Sequence, residues 1–371
     1  MKVLCVFGTR PEAIKMAPVI KELRKFPDRF VVKVCVTGQH REMLDQVLRL
    51  FDIHPDFDLD IMRENQSLTK VTSELLTRLE RIVVAEKPDW VLIQGDTTTV
   101  MAAALVAFYH RVKIGHVEAG LRTWNKFYPF PEEINRTIVD RIADLYFAPT
   151  GTARQNLLRE GVDETRIIVT GNTVIDALLE VEPRAYCWDD GPLAAVPQQG
   201  RLLLVTAHRR ENFGDPMRNI ATALREIAAR YRDVHIVFPT HPNPLARRIV
   251  RKELGDVANI YLLEPLDYLS LVQVMKCAFL VLTDSGGLQE EAPYMGKPVL
   301  VLRGITERPE AVVAGTVKVI GTESAAIVRE TTRLLEDHAE YERMARAVNP
   351  YGDGHASERI VAAMSDEMKA P

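Results

Sequence analysis

Two groups of polar residues in this sequence have the types and spacing to do chemistry. The first is acidic: Asp96 in "QGDTTT", Glu118 in "HVEAGLR", and Glu132 with Glu133 in "FPEEINR". The second mixes cations and glycines. It holds Arg10 and Lys15 in "FGTRPEAIK", His208, Arg209 and Arg210 in "AHRREN", Ser285-Gly286-Gly287 in "LTDSGGLQEEA", and Arg308 in "TERPEA". A Ser-Gly-Gly turn between an apolar run and an amphipathic segment is an anion cradle, because free backbone N–H groups and the positive end of a helix dipole point at one spot. Arginine meets phosphate through a fork of donors and lysine as a point charge, so these cations can balance a diphosphate. Glu290 and Glu291 follow the turn. A carboxylate accepts two hydrogen bonds and suits the vicinal hydroxyls of a ribose. Phosphate at the turn and ribose beside it describe a nucleoside diphosphate.

Each residue also has an ordinary role. A lone arginine is usually a solvated charge, Asp96 before three threonines could cap a helix, and acids in a first helical turn complement its dipole. The grouping favours ligand contact, because three potential cations follow one apolar run directly. The acids at separate strand ends suit general acid–base work. No His-Glu-x-x-His occurs, and no metal is implied.

These residues need elements to position them. Apolar, β-branched runs at 3–8, 31–38, 90–96, 113–120, 145–150 and 166–171 alternate with helical patterns, and so do runs at 202–208, 234–241, 260–265, 279–287, 298–304 and 317–321. Continuous apolar runs predict strands buried on both faces, hence parallel sheets covered by helices. Twelve such units exceed one open sheet. The predicted fold class is therefore α/β, with two Rossmann-like domains. In such sheets ligands bind beyond the carboxyl ends of the strands, which is where the residues above fall. The boundary is expected near residues 170 to 200, where "GNTVIDALLEV" reads as a helix leaving the first half. A Pro- and Gly-bearing connector follows it.

The 371 residues are 47% apolar and 26% charged, with net charge −4. That is a globular composition with no global field for nucleic acid. No apolar run reaches the length of a membrane span, and the first residues read as a strand rather than a signal peptide. The four cysteines, Cys5, Cys35, Cys187 and Cys277, are scattered. Reduced, buried thiols in a cytoplasmic protein are expected.

The blocks "FGTRPEAIKMAPVI", "QHREMLDQVL", "GDTTT", "GHVEAGLRT", "PEEINR", "GNTVIDAL", "TAHRREN", "TDSGGLQEEAP", "GKPVLVLR" and "NPYGDGHASERI" occur in this order. Together they resemble the bacterial non-hydrolysing UDP-N-acetylglucosamine 2-epimerases across essentially the whole chain. The resemblance implies a glycosyltransferase-B type fold, with two Rossmann-like domains facing a central cleft. Residues 1–170 would form an N-terminal domain carrying the acids, with a final helix at 355–371 packing back on it. Residues 171–354 would form the UDP-binding domain. The implied reaction interconverts UDP-N-acetylglucosamine and UDP-N-acetylmannosamine by eliminating UDP to a 2-acetamidoglucal and adding it back, without metal or redox cofactor. The product would supply bacterial surface polysaccharide.

By this resemblance Asp96, Glu118, Glu132 and His208 are catalytic. Arg10, Lys15, His208, Ser285, Gly286, Gly287, Glu291 and Arg308 contact UDP. Polar residues remain at Gln39, His40, Arg209 and His241, and the resemblance matches Gln39, Glu132, Arg209 and His241 to an activating second sugar-nucleotide site. Glu42 and Asn65 stand where some members carry Gln and Arg. Gly304 and Ile305 replace a common Asp-Thr pair, and Leu266 replaces a polar residue of some members. A homodimer is expected, with no nucleic-acid partner and no membrane insertion. A UDP-sugar glycosyltransferase, a hydrolysing epimerase and a non-catalytic nucleotide-sugar sensor are the alternatives. Of these, the sensor has no use for the retained acids.

Overall fold

A computed structural model describes the chain apart from residues 39, 40, 62, 64, 65, 241, 242 and 369–371, and apart from the side chains of residues 41, 42, 210 and 245. The chain divides into two compact units, one of Met1–Leu179 with Tyr351–Pro371 and the other of Glu180–Pro350. Among the described residues the first unit holds seven strands: β1 (Lys2–Phe7), β2 (Val31–Val36), β3 (Phe57–Asp58), β4 (Trp90–Gln94), β5 (Lys113–Val117), β6 (Leu145–Ala148) and β7 (Ile167–Val169). They form one parallel sheet in the order β3-β2-β1-β4-β5-β6-β7. The second unit holds β8 (Arg201–Thr206), β9 (Val234–Pro239), β10 (Ile260–Leu263), β11 (Ala278–Thr283), β12 (Val299–Val301) and β13 (Val317–Val319). These too are all parallel, in the order β10-β9-β8-β11-β12-β13.

This is the α/β architecture of two Rossmann-like sheets that the apolar runs predict. Twelve of those runs became strands. A further strand, β3, pairs only through Cys35↔Phe57 and Val36↔Asp58 at the sheet edge. Two residues at an edge carry no apolar run, which is why the pattern misses it. Every residue of β4 is buried, and so is every residue of β1 after Lys2. Helices cover both sheets, and each unit has its own apolar core. In both sheets the order reverses beside the first strand of the unit, at β1/β4 and at β8/β11. That is the switch point where α/β sheets hold ligands.

The buried-thiol expectation holds for Cys5 and Cys35, where burial pushes both thiols up to about 12. It fails for Cys187 and Cys277, which are exposed. Cys187 lies in the connector after the helix Thr173–Val181, and Cys277 is the last residue of the helix Tyr268–Cys277. Among the described residues no helix is long and apolar enough to cross a membrane.

The division between units falls after Leu179, later than the boundary expected after residue 170. Local packing explains why the helix Thr173–Val181 stays with the first unit as far as Leu179: Ile175 and Leu178 are buried, and Asp176 anchors the last helix, Ala356–Glu367. That helix has His355 at its N-cap without a side-chain cap hydrogen bond. The buried Asp176 supplies the acceptors instead. Its carboxylate takes hydrogen bonds from Ser357 N (2.7 Å), Ser357 Oγ (2.6 Å) and Ala356 N (3.2 Å). The helix then lies against Arg10–Arg24. Asp176→Ala should lower the stability of the first unit by about 2–3 kcal/mol, the range for hydrogen bonds to a charged group. Urea unfolding reads this as an earlier transition, and an unchanged midpoint would contradict the capping role.

Candidate active site

In the first unit the polar residues gather where β1, β4 and β5 end. β1 leads through Gly8 and Thr9 into the helix Arg10–Arg24, which opens with a capping box between Thr9 and Glu12. The Glu12 carboxylate accepts from Gly8 N (2.8 Å), Thr9 N (2.7 Å) and the Thr97 hydroxyl (2.5 Å), which ties the turn after β1 to the turn after β4. Burial pushes the Glu12 carboxyl up, against the pull of those donors. Two turns are thereby locked together, and each carries expected site residues: Arg10 and Lys15 on one side, Asp96 on the other.

Glu118 follows β5 with a left-handed backbone, φ +66°, a conformation that costs a residue with a Cβ and recurs at functional sites. The side chain is buried with 8% exposure. Lys15 Nζ donates to both carboxylate oxygens at 2.6 and 2.7 Å. Gln94 Nε2, at the end of β4, donates to Oε2, and Asn172 Nδ2 donates to Oε1 at 3.1 Å. A buried carboxylate needs this company, because uncompensated charge in a low-dielectric interior is costly. Lys15, which the resemblance places on the diphosphate, thus serves in this structure as the counter-charge of Glu118. Gln94 and Asn172 escaped the sequence reading.

Asp96 is half-buried and is not a helix cap: the helix Thr98–Tyr109 has Thr97 at that position. Its carboxylate instead meets Arg136 Nη2 at 2.5 Å, and its carbonyl accepts from Asn135 Nδ2 at 2.9 Å. Arg136 also lies 3.5 Å from Glu133. Glu133 is buried and accepts from the backbone N–H groups of Thr123 and Trp124 at 2.9–3.1 Å, so it anchors the aromatic loop. Glu132, the first residue of the helix Glu132–Ile142, is half-buried, as is Arg10 at the start of its own helix. Behind Glu118, His116 joins Asp140 (2.6 Å) to the carbonyl of Gly95 (2.8 Å), and Asp140 also meets Arg122 at 2.8 Å. Burial would raise the Asp140 carboxyl, but His116 and Arg122 outweigh it and hold it low.

The second unit brings its expected residues to the ends of β8 and β11. Ser285 is the N-cap of the helix Gly286–Tyr294, which begins with the two glycines. A Cβ on Gly286 would lie 3.7 Å from Arg308 Nη2, and one on Gly287 would lie 3.3 Å from Glu291 Oε2, so the cradle is closely lined by both side chains. Glu290 and Glu291 sit beyond the first helical turn, which removes dipole complementation as their explanation. Arg308 Nε donates to the buried Glu290, while Glu291 accepts from the Tyr268 hydroxyl at 2.6 Å. His208 follows β8 with its ring Nδ1 2.9 Å from Asp284 Oδ1, and Asp284 Oδ2 accepts from the backbone N–H of Arg209 at 2.8 Å. Asp284 and Tyr268 are partners the sequence reading left without roles, and Glu290, read there with Glu291 as a ribose clamp, meets Arg308 instead. Gln39, His40 and His241 of the expected activator site lie outside the described residues, as does Asn65; the side chain of Glu42 is likewise outside them.

The loop before Arg308 is held by charge. Buried Arg303 meets Glu211 at 2.8 Å and Glu307 at 2.6 Å. Burial alone would raise the Glu307 carboxyl, yet the Arg303 hydrogen bond and the charges of Arg303, Arg209 and Arg308 hold it down at about 2, from an ordinary 4.5. A depressed folded-state pKa contributes stability above the ordinary value, and that contribution is lost as pH falls through the folded value. Acid should therefore weaken the second unit between pH 4.5 and about 2, and Glu307→Gln should flatten that limb of a urea-midpoint curve. An equally steep limb in the variant would contradict the assignment.

The arrangement offers a caged carboxylate, an arginine-paired acid, and a glycine cradle flanked by a glutamate and an arginine. Known proteins resemble this chain over nearly its full length. The family model for UDP-N-acetylglucosamine 2-epimerase matches residues 21–365. The UDP-N-acetylglucosamine 2-epimerase of Escherichia coli K12 is 55% identical over 372 residues, covering 99% of this chain and 99% of that protein. The crystal structure of the Neisseria meningitidis UDP-GlcNAc 2-epimerase bound to UDP-GlcNAc superposes with a TM-score of 0.93 at 48% identity, covering 99% of this chain and 100% of the other. A glycosyltransferase from Rickettsia africae shares the fold alone, at TM-score 0.63 and 13% identity, covering 100% of this chain and 99% of that one. The two-domain fold is thus of the glycosyltransferase-B type, and the chain belongs to the UDP-N-acetylglucosamine 2-epimerase family of isomerases.

Proposed function

We propose that this enzyme interconverts UDP-N-acetylglucosamine and UDP-N-acetylmannosamine by eliminating and re-adding UDP. The observation that carries the reading is Glu118, a buried carboxylate fixed by Lys15, Gln94 and Asn172 at the ligand-binding end of a parallel sheet. Family membership and the relative bound to UDP-GlcNAc support it. In the elimination the C2 proton passes to a carboxylate, and the C2–H electron pair becomes a C1=C2 double bond. UDP leaves with the C1–O pair. The C2 proton is only weakly acidic, so positive charge must develop at C1 as it departs, and nearby carboxylates stabilise that charge. Re-addition of UDP with proton return to the opposite face of C2 gives the other epimer.

Glu118, Asp96 and Glu132 are the proposed acid–base groups, in an order over the two faces that the chemistry leaves open. The UDP contacts proposed are Arg10, His208, the Ser285–Gly287 cradle, Glu291 at the ribose and Arg308. Lys15 contributes as the counter-charge of Glu118, and a diphosphate contact is proposed for it as well. Gln39, His40, Glu132, Arg209 and His241 are proposed as contacts of an activating sugar nucleotide. The enzyme would work in the cytoplasm as a homodimer without a metal or redox cofactor, supplying N-acetylmannosamine for bacterial surface polysaccharide.

Incubation with UDP-N-acetylglucosamine alone, followed by NMR, tests the reaction. The expected result is a mixture of the two UDP sugars. Free N-acetylmannosamine with UDP would mean a hydrolysing epimerase, and turnover only after adding an acceptor would mean a glycosyltransferase. Either contradicts the proposal.

A further inference from the structure

We infer that His116, held by Asp140, is a positioning residue: with a hydrogen on each ring nitrogen it fixes the turns that carry Asp96 and Glu118, and the helix that carries Glu132, relative to one another. The catalytic meaning rests on the proposed function. The contacts that carry the inference all lie within the first unit.

His116 and Asp140 are fully buried. Nδ1 of the ring is hydrogen-bonded to Asp140 Oδ1 at 2.6 Å, and Nε2 to the carbonyl oxygen of Gly95 at 2.8 Å. A carbonyl oxygen only accepts, and so does an ionised carboxylate, so each nitrogen must bring its own hydrogen. The other oxygen marks Asp140 as a carboxylate: it accepts from Gly120 N at 3.1 Å and lies 2.8 Å from Arg122 Nη2. Arg122 in turn donates through Nε and Nη2 to the two oxygens of Glu160, at 2.7 Å each. Two cations therefore meet two carboxylates, and a ring with both hydrogens leaves this largely buried cluster without net charge, as a low-dielectric interior requires.

These contacts reach all three proposed acid–base groups. Asp96 directly follows Gly95, whose carbonyl the ring holds and whose N–H donates to Val117 O at 3.0 Å. Glu118 directly follows Val117, and a Cβ on Gly95 would lie 4.0 Å from Glu118 Oε2. On the far side of Glu118, Gly120 N is fixed by Asp140. Gly95 and Gly120 have φ of +82° and +87°. Glycine is permissive there, so the hydrogen bonds, not the backbone preference, set the direction of each turn. Asp140 itself belongs to the helix Glu132–Ile142, which opens with Glu132. His116 moves no proton in the elimination; it sets where the carboxylates stand. A misplacement of about 1 Å, caused away from the chemistry, can cost on the order of 10²-fold in rate.

Two variants and one spectrum test this. The amide of an asparagine stands near Nδ1 of a histidine, and that of a glutamine near Nε2. His116→Gln therefore keeps a donor for Gly95 and gives up Asp140, while His116→Asn does the reverse. Both lose the ring's packing, so a merely structural role predicts equal losses. His116→Asn should lower kcat by about 10²-fold, with KM for UDP-N-acetylglucosamine within about 3-fold of native. His116→Gln should recover about 10-fold of that loss at a similar thermal unfolding temperature. Equal kcat in the two folded variants overturns the positioning role. Nitrogen-15 NMR of the full-length native protein at neutral pH, with the ring assigned through the backbone of β5, should show both nitrogens of His116 protonated. One bare nitrogen overturns the inference whatever the variants do, and the spectrum decides alone if neither variant folds. A native protein that carries both ring hydrogens but does not epimerise overturns the proposed reaction and leaves the clamp standing.

Discussion

The contact between Lys15 and Glu118, 2.6 Å long and almost dry, is the constraint that the first unit is built to satisfy. Taking two charges out of water costs several kcal/mol per ion in a real protein. Coulomb attraction repays this only with good geometry and further hydrogen bonds, which Gln94 and Asn172 provide. The sheet order makes this possible. β1, β4 and β5 are consecutive neighbours, so the helix after β1, the last residue of β4 and the residue just past β5 converge without long reaches. Asn172 follows β7, and its own N–H donates to the carbonyl of Tyr351 at 2.7 Å. The returning C-terminal segment thus secures a residue that touches Glu118. The left-handed backbone of Glu118 belongs to the same design: a strained turn is kept because Lys15, Gln94 and Asn172 over-determine the side chain.

The second unit repeats the architecture with different chemistry. Its sheet also reverses beside its first strand, but the buried acid at the switch point, Asp284, faces donors rather than a lysine. The first unit surrounds a buried carboxylate with a lysine and two amides, and the second sets a buried acid just ahead of a glycine turn that opens a helix. Glu12 and Asp284 play parallel parts, each an acid that receives backbone N–H groups just after the first strand of its unit. In both cases a strand-end loop is held by a carboxylate instead of by loop length.

Much of this was legible in the sequence, for identifiable reasons. Parallel strands buried on both faces leave continuous apolar runs, so twelve strands could be placed, while the edge pair Phe57–Asp58 could not. Asp96, Glu118 and the Ser285–Gly287 turn stood out because polar residues directly after such runs fall at the ligand-binding edge. The partners did not stand out. Gln94, Asn172 and Glu118 are far apart in the chain, and only the crossovers of a parallel sheet make them neighbours. Lys15 read as one more phosphate cation because a sequence shows its charge but not the carboxylate it meets. Asp284 was visible in "LTDSGG", yet nothing local marks it as the partner of a histidine on another strand.

Turnover in heavy water tests the central claim, that the caged Glu118 handles the C2 proton. The native enzyme is predicted to place deuterium at C2 of both UDP sugars. Glu118→Gln, which keeps the shape but cannot take a proton, should slow label entry and epimerisation together by about 10²-fold or more. A Glu118→Gln protein that exchanges and epimerises at the native rate would contradict the account.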